Sequence, residues 1–119
     1  MMTLLIPILL VSPPPKIVQV LYVNFGMETD PPTTTARIWL KGRDITKKLG
    51  QRLPDLNRLV RTGKAGGTFN DQLVRLAVRM SDGDRIYVDK LGVVRLKGKD
   101  YTLAECDYGA LKKLLPDVW

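Results

Sequence analysis

The amino-acid sequence predicts a small mixed α+β domain that contains β-hairpins and two to three helices. A chain of 119 residues with 45% apolar residues fits one domain with a core of ordinary size. Short runs rich in Val, Ile and Tyr are separated by Gly-containing turns, whereas leucines elsewhere recur at helical spacings of three and four. The stretches 40–46 and 96–102 match at five of seven positions, which fits either a duplicated β-β-α unit or chance recurrence of a common hairpin sequence.

The N-terminal residues 1–15 form an apolar, proline-rich arm ahead of a single α+β domain at 16–119. Residues 4–11 are apolar throughout, and eight such residues are too few to cross a bilayer as a helix. The run makes a poor signal peptide, because no basic residue precedes it and no small-residue cleavage site follows it. We expect it to pack on its own domain or on a partner subunit, with Pro13–Pro15 as an extended spacer.

The first half of the domain is predicted to contain two strands and one helical stretch. Residues 16–25 are rich in Val, Ile and Tyr and predict a central strand, whereas 26–34 contain two prolines and predict a loop. Residues 37–41 predict a second strand. The leucines of 45–62 recur at helical spacing, with Gly63 as the C-cap and a loop at 66–67.

The second half begins with a segment that has two interpretations. Residues 68–80 favour a helix that starts in a capping box at Thr68 and Asp71 and pairs Asp71 with Arg75, although alternation from Val74 to Met80 also fits a strand. An Asp82-Gly83 turn follows, then strands at 85–89 and 93–97 around a turn at 90–92. Residues 101–103 predict a short strand or a helix entry, and 107–115 predict a last helix that ends at Pro116.

The repeated heptapeptide predicts a turn in each copy. Gly42 and Gly98 occupy equivalent positions, and we expect each to supply the positive φ that the turn needs.

The absence of histidine limits the chemistry open to this chain. Ser-His and Cys-His pairs and the usual zinc sites all need this residue, so we predict a protein that is not an enzyme and takes no cofactor. The lone Cys106 predicts a half-buried small apolar side chain. Because one cysteine forms no internal disulfide, the sequence indicates a cytoplasmic (intracellular) protein, with a virion as the alternative.

The positive charge is concentrated in one part of the chain. Residues 36–65 carry nine basic and two acidic residues, so this segment holds the whole net charge of +7. Such a localised field suits a polyanion or an acidic protein surface, although a solvated basic face without a partner is the alternative. The basic residues are Arg37, Lys41, Arg43, Lys47, Lys48, Arg52, Arg58, Arg61 and Lys64.

Residues 45–64 resemble the helix-turn-helix of excisionase and MerR-like DNA-binding domains. The match lies in Leu49-Gly50, followed after five residues by Leu56 and after two more by Leu59, and in the trailing Arg-Thr-Gly-Lys. The resemblance implies that Gly50 turns the chain between two helices and that the second helix presents polar residues to the major groove. An ordinary amphipathic helix with a solvated basic face is the competing interpretation.

The sequence therefore predicts a nucleic-acid-binding protein that uses its basic segment, 37–64. The alternative is a protein-interaction or assembly role, such as a viral or phage structural component or an inhibitor of a host factor, with a homo-oligomer formed through the N-terminal arm. In both cases we expect no membrane span. The candidate nucleic-acid-binding residues are Arg43, Lys47, Lys48, Arg52, Asn57, Arg58, Arg61 and Lys64.

Overall fold

The computed structural model of the protein describes residues 15–25 and 32–115. These residues form a seven-stranded antiparallel sheet with helices on both faces, in the strand order β2-β1-β4-β5-β6-β7-β3. The strands are β1 (Ile17–Tyr22), β2 (Arg43–Asp44), β3 (Lys64–Ala65), β4 (Val74–Met80), β5 (Arg85–Asp89), β6 (Val93–Leu96) and β7 (Lys99–Thr102). The α-helices are α1 (Ile38–Lys41), α2 (Thr46–Leu49), α3 (Leu53–Leu59) and α4 (Glu105–Leu114), and a 3₁₀ turn over Gly50–Arg52 joins α2 to α3.

Strand β4 occupies the part of the chain that favours a helix in the sequence, so the helix prediction for 68–80 is wrong and the strand alternative is correct. β4 pairs with both β1 and β5, and every residue in it except Arg79 is buried. The sequence shows both a two-residue alternation and a helical spacing here, and pairing with a neighbouring strand on each side selects the strand. The Thr68 capping box therefore does not form. Arg75, expected on an exposed helix face beside Asp71, is buried, and its Nη1 donates a hydrogen bond of 3.0 Å to the Val74 carbonyl.

The sheet has one apolar core on each face. On one face, buried residues of β1, β4, β5 and β6 pack with α2, α3 and α4. On the other face, Leu21, Ile38 and Ala77 are among the buried residues of a smaller core that α1 covers. The helical stretch therefore lies on the first face, and among the described residues α1 and Phe69 cover parts of the second face.

The structure confirms the predicted central strand near the N-terminus, the hairpin strands of the second half and the last helix. Strand β1 lies between β2 and β4, β5 and β6 flank the turn at 90–92, and 101–102 belong to β7. Lys97 and Gly98 both have positive φ, which is the backbone of a two-residue hairpin turn of type I′. The last helix begins at Glu105, two residues before the predicted 107; Leu111 and Leu115 are buried, and Lys112 and Lys113 are exposed. Pro116 lies outside the described residues.

The first copy of the heptapeptide does not form a hairpin, so the strand prediction for 37–41 is wrong. Ile38 is buried while Leu40, which a strand would place on the same side, is 87% exposed, and the segment is the single helical turn α1. Gly42 has a φ of −68°. Its glycine requirement comes from close packing instead, because a Cβ there would lie 2.6 Å from the Ile38 carbonyl oxygen. The two copies thus differ in backbone, and the duplicated unit is not confirmed.

Two smaller expectations also change. α3 ends at Leu59 with Val60 as its C-cap, so Gly63 is not the cap. Cys106 is exposed in the first turn of α4, where only one side of the helix reaches the core, so the half-buried prediction is wrong. The predicted arm, apart from Pro15, lies outside the described residues.

Candidate nucleic-acid interface

The basic residues are displayed by the helical stretch 46–59. Leu49, Leu56 and Leu59 are buried in the core beneath it, which turns the opposite side of the stretch to solvent. Lys47, Lys48, Arg52, Arg58 and Arg61 are all exposed, and we call this surface, formed by those five residues, the basic surface.

A local hydrogen-bond network fixes the start of α2. The Asp44 Oδ1 accepts hydrogen bonds from the backbone N–H of Thr46 at 3.0 Å and from its Oγ1 at 2.6 Å. The same Thr46 hydroxyl accepts a bond of 2.8 Å from the Val20 N–H in β1. The bonds from Thr46 lower the pKa of Asp44, and Lys47 adds to this shift. The carboxylate thus stays ionised and holds α2 against the sheet.

Gly50 turns the chain between α2 and α3, as the helix-turn-helix resemblance implies. Its φ is +47°, a conformation that favours glycine, and Pro54 sits in the first turn of α3 where its missing N–H costs little. Residues 43–44, however, pair with β1 as strand β2. α2 therefore begins at Thr46 and has a single turn, which is short for the first helix of a helix-turn-helix.

Three of the candidate residues also hold the domain together. Arg52 Nη1 donates to the Leu114 carbonyl at 3.1 Å, at the end of α4. Asn57 is half-buried, and its Nδ2 donates to the Pro15 carbonyl at 3.1 Å. Arg61 Nε donates to Asn57 Oδ1 at 2.8 Å, so Asn57 links the entry of the chain to a cation of the basic surface.

An open cleft lies beside these residues. Arg58 and Arg61 line a space of about 420 Å³ with Pro15, Pro54 and Asn57. It adjoins a second cleft of about 510 Å³ that shares three of those residues and is lined in addition by Lys16, Ile17, Gly50, Gln51 and Leu53.

The remaining two candidates lie apart from the basic surface. Arg43 is in β2 and Lys64 is in β3, the two edge strands of the sheet. Both are exposed, but the strand order keeps them at opposite ends of the ladder. The structure therefore places five of the eight predicted residues on the helical stretch 46–59 and Arg61 in the turn directly after it, and it leaves Arg43 and Lys64 on the two edge strands.

None of the five residues of the basic surface belongs to an ion pair among the described residues, although Lys47 is close enough to Asp44 to help lower its pKa. Within 15–25 and 32–115 the ion pairs are Arg95–Asp100 at 2.9 Å and Lys97–Asp84 at 3.5 Å, both in hairpins. Lys47, Lys48 and Arg58 take part in neither pair, so their charge is available to an anionic partner.

A second pair of cations was missed by the sequence interpretation. Arg79 in β4 and Arg85 in β5 are exposed and directly opposite each other in the register. The Asp82-Gly83 turn could have revealed them, because a hairpin centred on it pairs these two positions once 74–80 is read as a strand.

The buried polar residues of the sheet have structural partners. Asp89 is fully buried, and its two carboxylate oxygens accept bonds of 2.9–3.0 Å from the N–H groups of Asn70, Leu91 and Val93. Tyr108 donates its hydroxyl to the Lys90 carbonyl. Burial, with a further effect of Asp89, raises the pKa of Tyr108 to about 12.

The described residues contain neither a cluster that suits a metal ion nor a helix that suits a bilayer crossing. No three His, Cys, Asp or Glu side chains in them converge on a point that suits a metal ion. None of their helices combines the length and apolar character that a bilayer crossing requires.

No protein-family model matches the chain, and no curated protein or solved structure matches it significantly.

Proposed function

We propose that the protein binds nucleic acid through the basic surface of α2 and α3. The observation that carries this proposal is that Lys47, Lys48 and Arg58 are exposed on one helical stretch and take part in none of the described ion pairs. Each cation that reaches a phosphate releases a condensed counterion, which makes this kind of binding favourable and salt-dependent. A nucleic-acid partner implies an intracellular site of action.

The six candidate residues have different roles in this proposal. Lys48 and Arg58 contact phosphates as cations outside any described ion pair, and Lys47 contacts phosphate from a position near Asp44. Arg61 lines the open cleft next to Arg58, and Asn57 holds it in place through its 2.8 Å bond. Arg52 is a positioning residue, because its guanidinium also ties the helical stretch to the end of α4.

The test is fluorescence anisotropy of labelled duplex and single-stranded oligonucleotides at about 50 mM and about 200 mM salt. A surface making about four phosphate contacts loses roughly 100-fold in affinity between these concentrations. Lys47→Glu with Lys48→Glu should reduce the slope of log affinity against log salt by about two. The matched control is Lys112→Glu with Lys113→Glu, another pair of adjacent, exposed helical lysines, which changes the net charge equally.

Two results would overturn the proposal. One is that no oligonucleotide binds at the lower salt concentration. In that case an acidic protein surface becomes the expected partner. The other is an equal loss in the α4 control, because net charge alone would then explain the binding.

A second candidate function, assembly of copies through the N-terminal arm, is favoured by the cleft of about 510 Å³. Pro15, Ile17, Leu53 and Pro54 give it apolar walls where the chain enters from residues 1–14. The sequence of residues 4–11 is apolar throughout, which matches the apolar walls of this cleft. The occupant we infer is therefore the apolar run of a partner subunit.

Light scattering of the full chain tests this assembly. We expect a dimer that Leu53→Glu converts to a monomer, since a charge in the cleft opposes burial of the apolar run. Leu91→Glu is the control, because Leu91 is exposed on the turn between β5 and β6. A parent chain that stays monomeric at high concentration excludes this function.

A further inference from the structure

Two arginines face each other on the open part of the sheet. Arg79 and Arg85 are Cα partners in the β4–β5 ladder, and both are exposed. Directly opposed residues of an antiparallel pair have Cβ atoms about 5 Å apart, and like charges at such positions destabilise the sheet. Neither arginine belongs to an ion pair among the described residues. An anion bound between them would remove this repulsion.

This pair lies on the opposite side of the sheet from the basic surface. Val78, Met80 and Ile86, their neighbours along the strands, are buried in the core beneath α2 and α3. Because successive side chains of a strand point to opposite faces, Arg79 and Arg85 point away from those helices. A ligand on this side would not touch the basic surface.

Two aromatic residues hold Arg85 in place. Its guanidinium lies 4.7 Å from the centre of the Trp39 ring. Trp39 Nε1 donates a hydrogen bond of 3.0 Å to the Tyr87 hydroxyl, and the two rings meet edge to face with centroids 6.2 Å apart. Both rings are half-buried. A guanidinium stacked on a fixed ring loses little freedom when it binds a phosphate.

A neighbouring cation, Arg95, does not belong to this site. Arg95 in β6 is the Cα partner of Tyr87 in β5. Its guanidinium donates hydrogen bonds to both carboxylate oxygens of Asp100. These bonds raise the pKa of Arg95 and lower that of Asp100, so the two remain a closed ion pair. Among the exposed residues of β4, β5 and β6, Arg79 and Arg85 are the cations outside the described ion pairs.

We infer that Arg79, Arg85, Trp39 and Tyr87, which we call the arginine–aromatic face, form a second binding site, for single-stranded nucleic acid. The arginines would bind the phosphodiester backbone, and unpaired bases would stack on the outer side of the Arg85 guanidinium, whose other side lies on the Trp39 ring, or on the exposed apolar surface near it. Leu40, next to Trp39 in the chain, is 87% exposed, and Val18, in the bulge of β1 beside β4, is 45% exposed. A duplex hides its base faces, so only a single strand can use such a surface.

Tryptophan fluorescence provides the test, because the chain has two tryptophans, Trp39 and Trp119. In a full-length Trp119→Phe protein, a deoxythymidine strand of about 15 nucleotides should quench Trp39, and a duplex of that length should not. Arg79→Gln with Arg85→Gln should lower the salt slope of the quenching titration by about two. Arg79→Gln alone leaves the Trp39 stack intact and should lower it by about one.

The outcomes separate this site from the basic surface. With Lys47→Glu and Lys48→Glu the quenching amplitude should persist even if all duplex binding is lost. Absence of Trp39 quenching by the single strand, or equal quenching by the duplex, would overturn the inference. An unchanged salt slope in the Arg79→Gln variant would overturn it as well.

Discussion

Arg61 donates a hydrogen bond of 2.8 Å from its Nε to the Oδ1 of Asn57, one helical turn before it. The amide of Asn57 in turn donates to the Pro15 carbonyl at 3.1 Å, so one side chain ties the entry of the chain to a cation of the basic surface. A half-buried asparagine with both ends bonded has little freedom to move.

Asn57→Ala should therefore weaken nucleic-acid binding without changing its salt dependence. The substitution releases Arg61 but removes no charge, so we expect a loss of about threefold to tenfold in affinity from one or two net hydrogen bonds. Arg61→Ala should instead lower the salt slope by about one. Anisotropy titrations at several salt concentrations distinguish the two. A slope that falls as far in Asn57→Ala as in Arg61→Ala would contradict the positioning role, and Gln51→Ala, exposed in the neighbouring turn, is the control.

The buried carboxylate of Asp89 should be among the most sensitive positions of the fold. It accepts three backbone N–H groups around the turn after β5, and Asp89→Ala leaves all three donors without this acceptor. A buried donor that loses its partner costs about 1–3 kcal/mol; the bond from Val93 is buried and the other two are part-buried, so we expect a loss of about 2–4 kcal/mol in the free energy of unfolding.

Urea unfolding monitored by circular dichroism measures this loss. Asp82→Ala is the matched control, because Asp82 is exposed and accepts one backbone bond, from Asp84. We expect it to cost less than about 1 kcal/mol. If both substitutions lower the free energy of unfolding equally, the burial of the Asp89 hydrogen bonds does not contribute to stability.

The parts of the fold that could be predicted are those with a local signal. β5, β6 and their turns follow from β-branched residues and glycines, and the last helix follows from its leucines. The sequence of β4 fits both a strand alternation and a helical spacing, and the pairing with β1 and β5 that selects the strand is not encoded locally. Arg75 contributed to the wrong helix prediction, because a charged residue in a sequence suggests solvent, whereas here it is buried in the central strand.

In the candidate site too, the sequence predicts the features that have a local signal and misses those that depend on distant contacts. The charge run at 36–65 is visible in the sequence, and the structure displays its central part on one helical stretch. The bonds of Arg52 to Leu114 and of Asn57 to Pro15 join residues 62 and 42 positions apart, which no local pattern encodes. Arg79 and Arg85 become neighbours only once the strand register is known.

Gly92 should tolerate alanine less well than Gly83. Both have strongly positive φ, of +87° and +93°, which costs a non-glycine residue about 1 kcal/mol or more. A Cβ at Gly92 would also lie 3.1 Å from the ring of Tyr108, whereas one at Gly83 has nothing within 4 Å. We expect Gly92→Ala to cost about 1 kcal/mol more than Gly83→Ala, a difference of about 4 °C in melting temperature. Equal melting temperatures would show that the ring of Tyr108 moves aside freely.

Tyr108 should make the fold less stable at alkaline pH. Its pKa is raised from 10.0 to about 12 in the folded protein, chiefly by burial. A group whose pKa is raised on folding contributes its full stabilisation below the unfolded value. That contribution is lost as the pH rises from about 10 towards 12, because the unfolded chain ionises first.

The free energy of unfolding measured in urea from about pH 8 to 11 should therefore fall less steeply in Tyr108→Phe than in the parent. The variant should also lose about 1 kcal/mol at neutral pH, because it lacks the bond to the Lys90 carbonyl. Absorbance of ionised tyrosine provides a second measurement, since the parent should contain one more late-titrating tyrosine than the variant. If the late titration persists in Tyr108→Phe, another tyrosine holds the protected proton, and burial against the turn at Gly92 is not its cause.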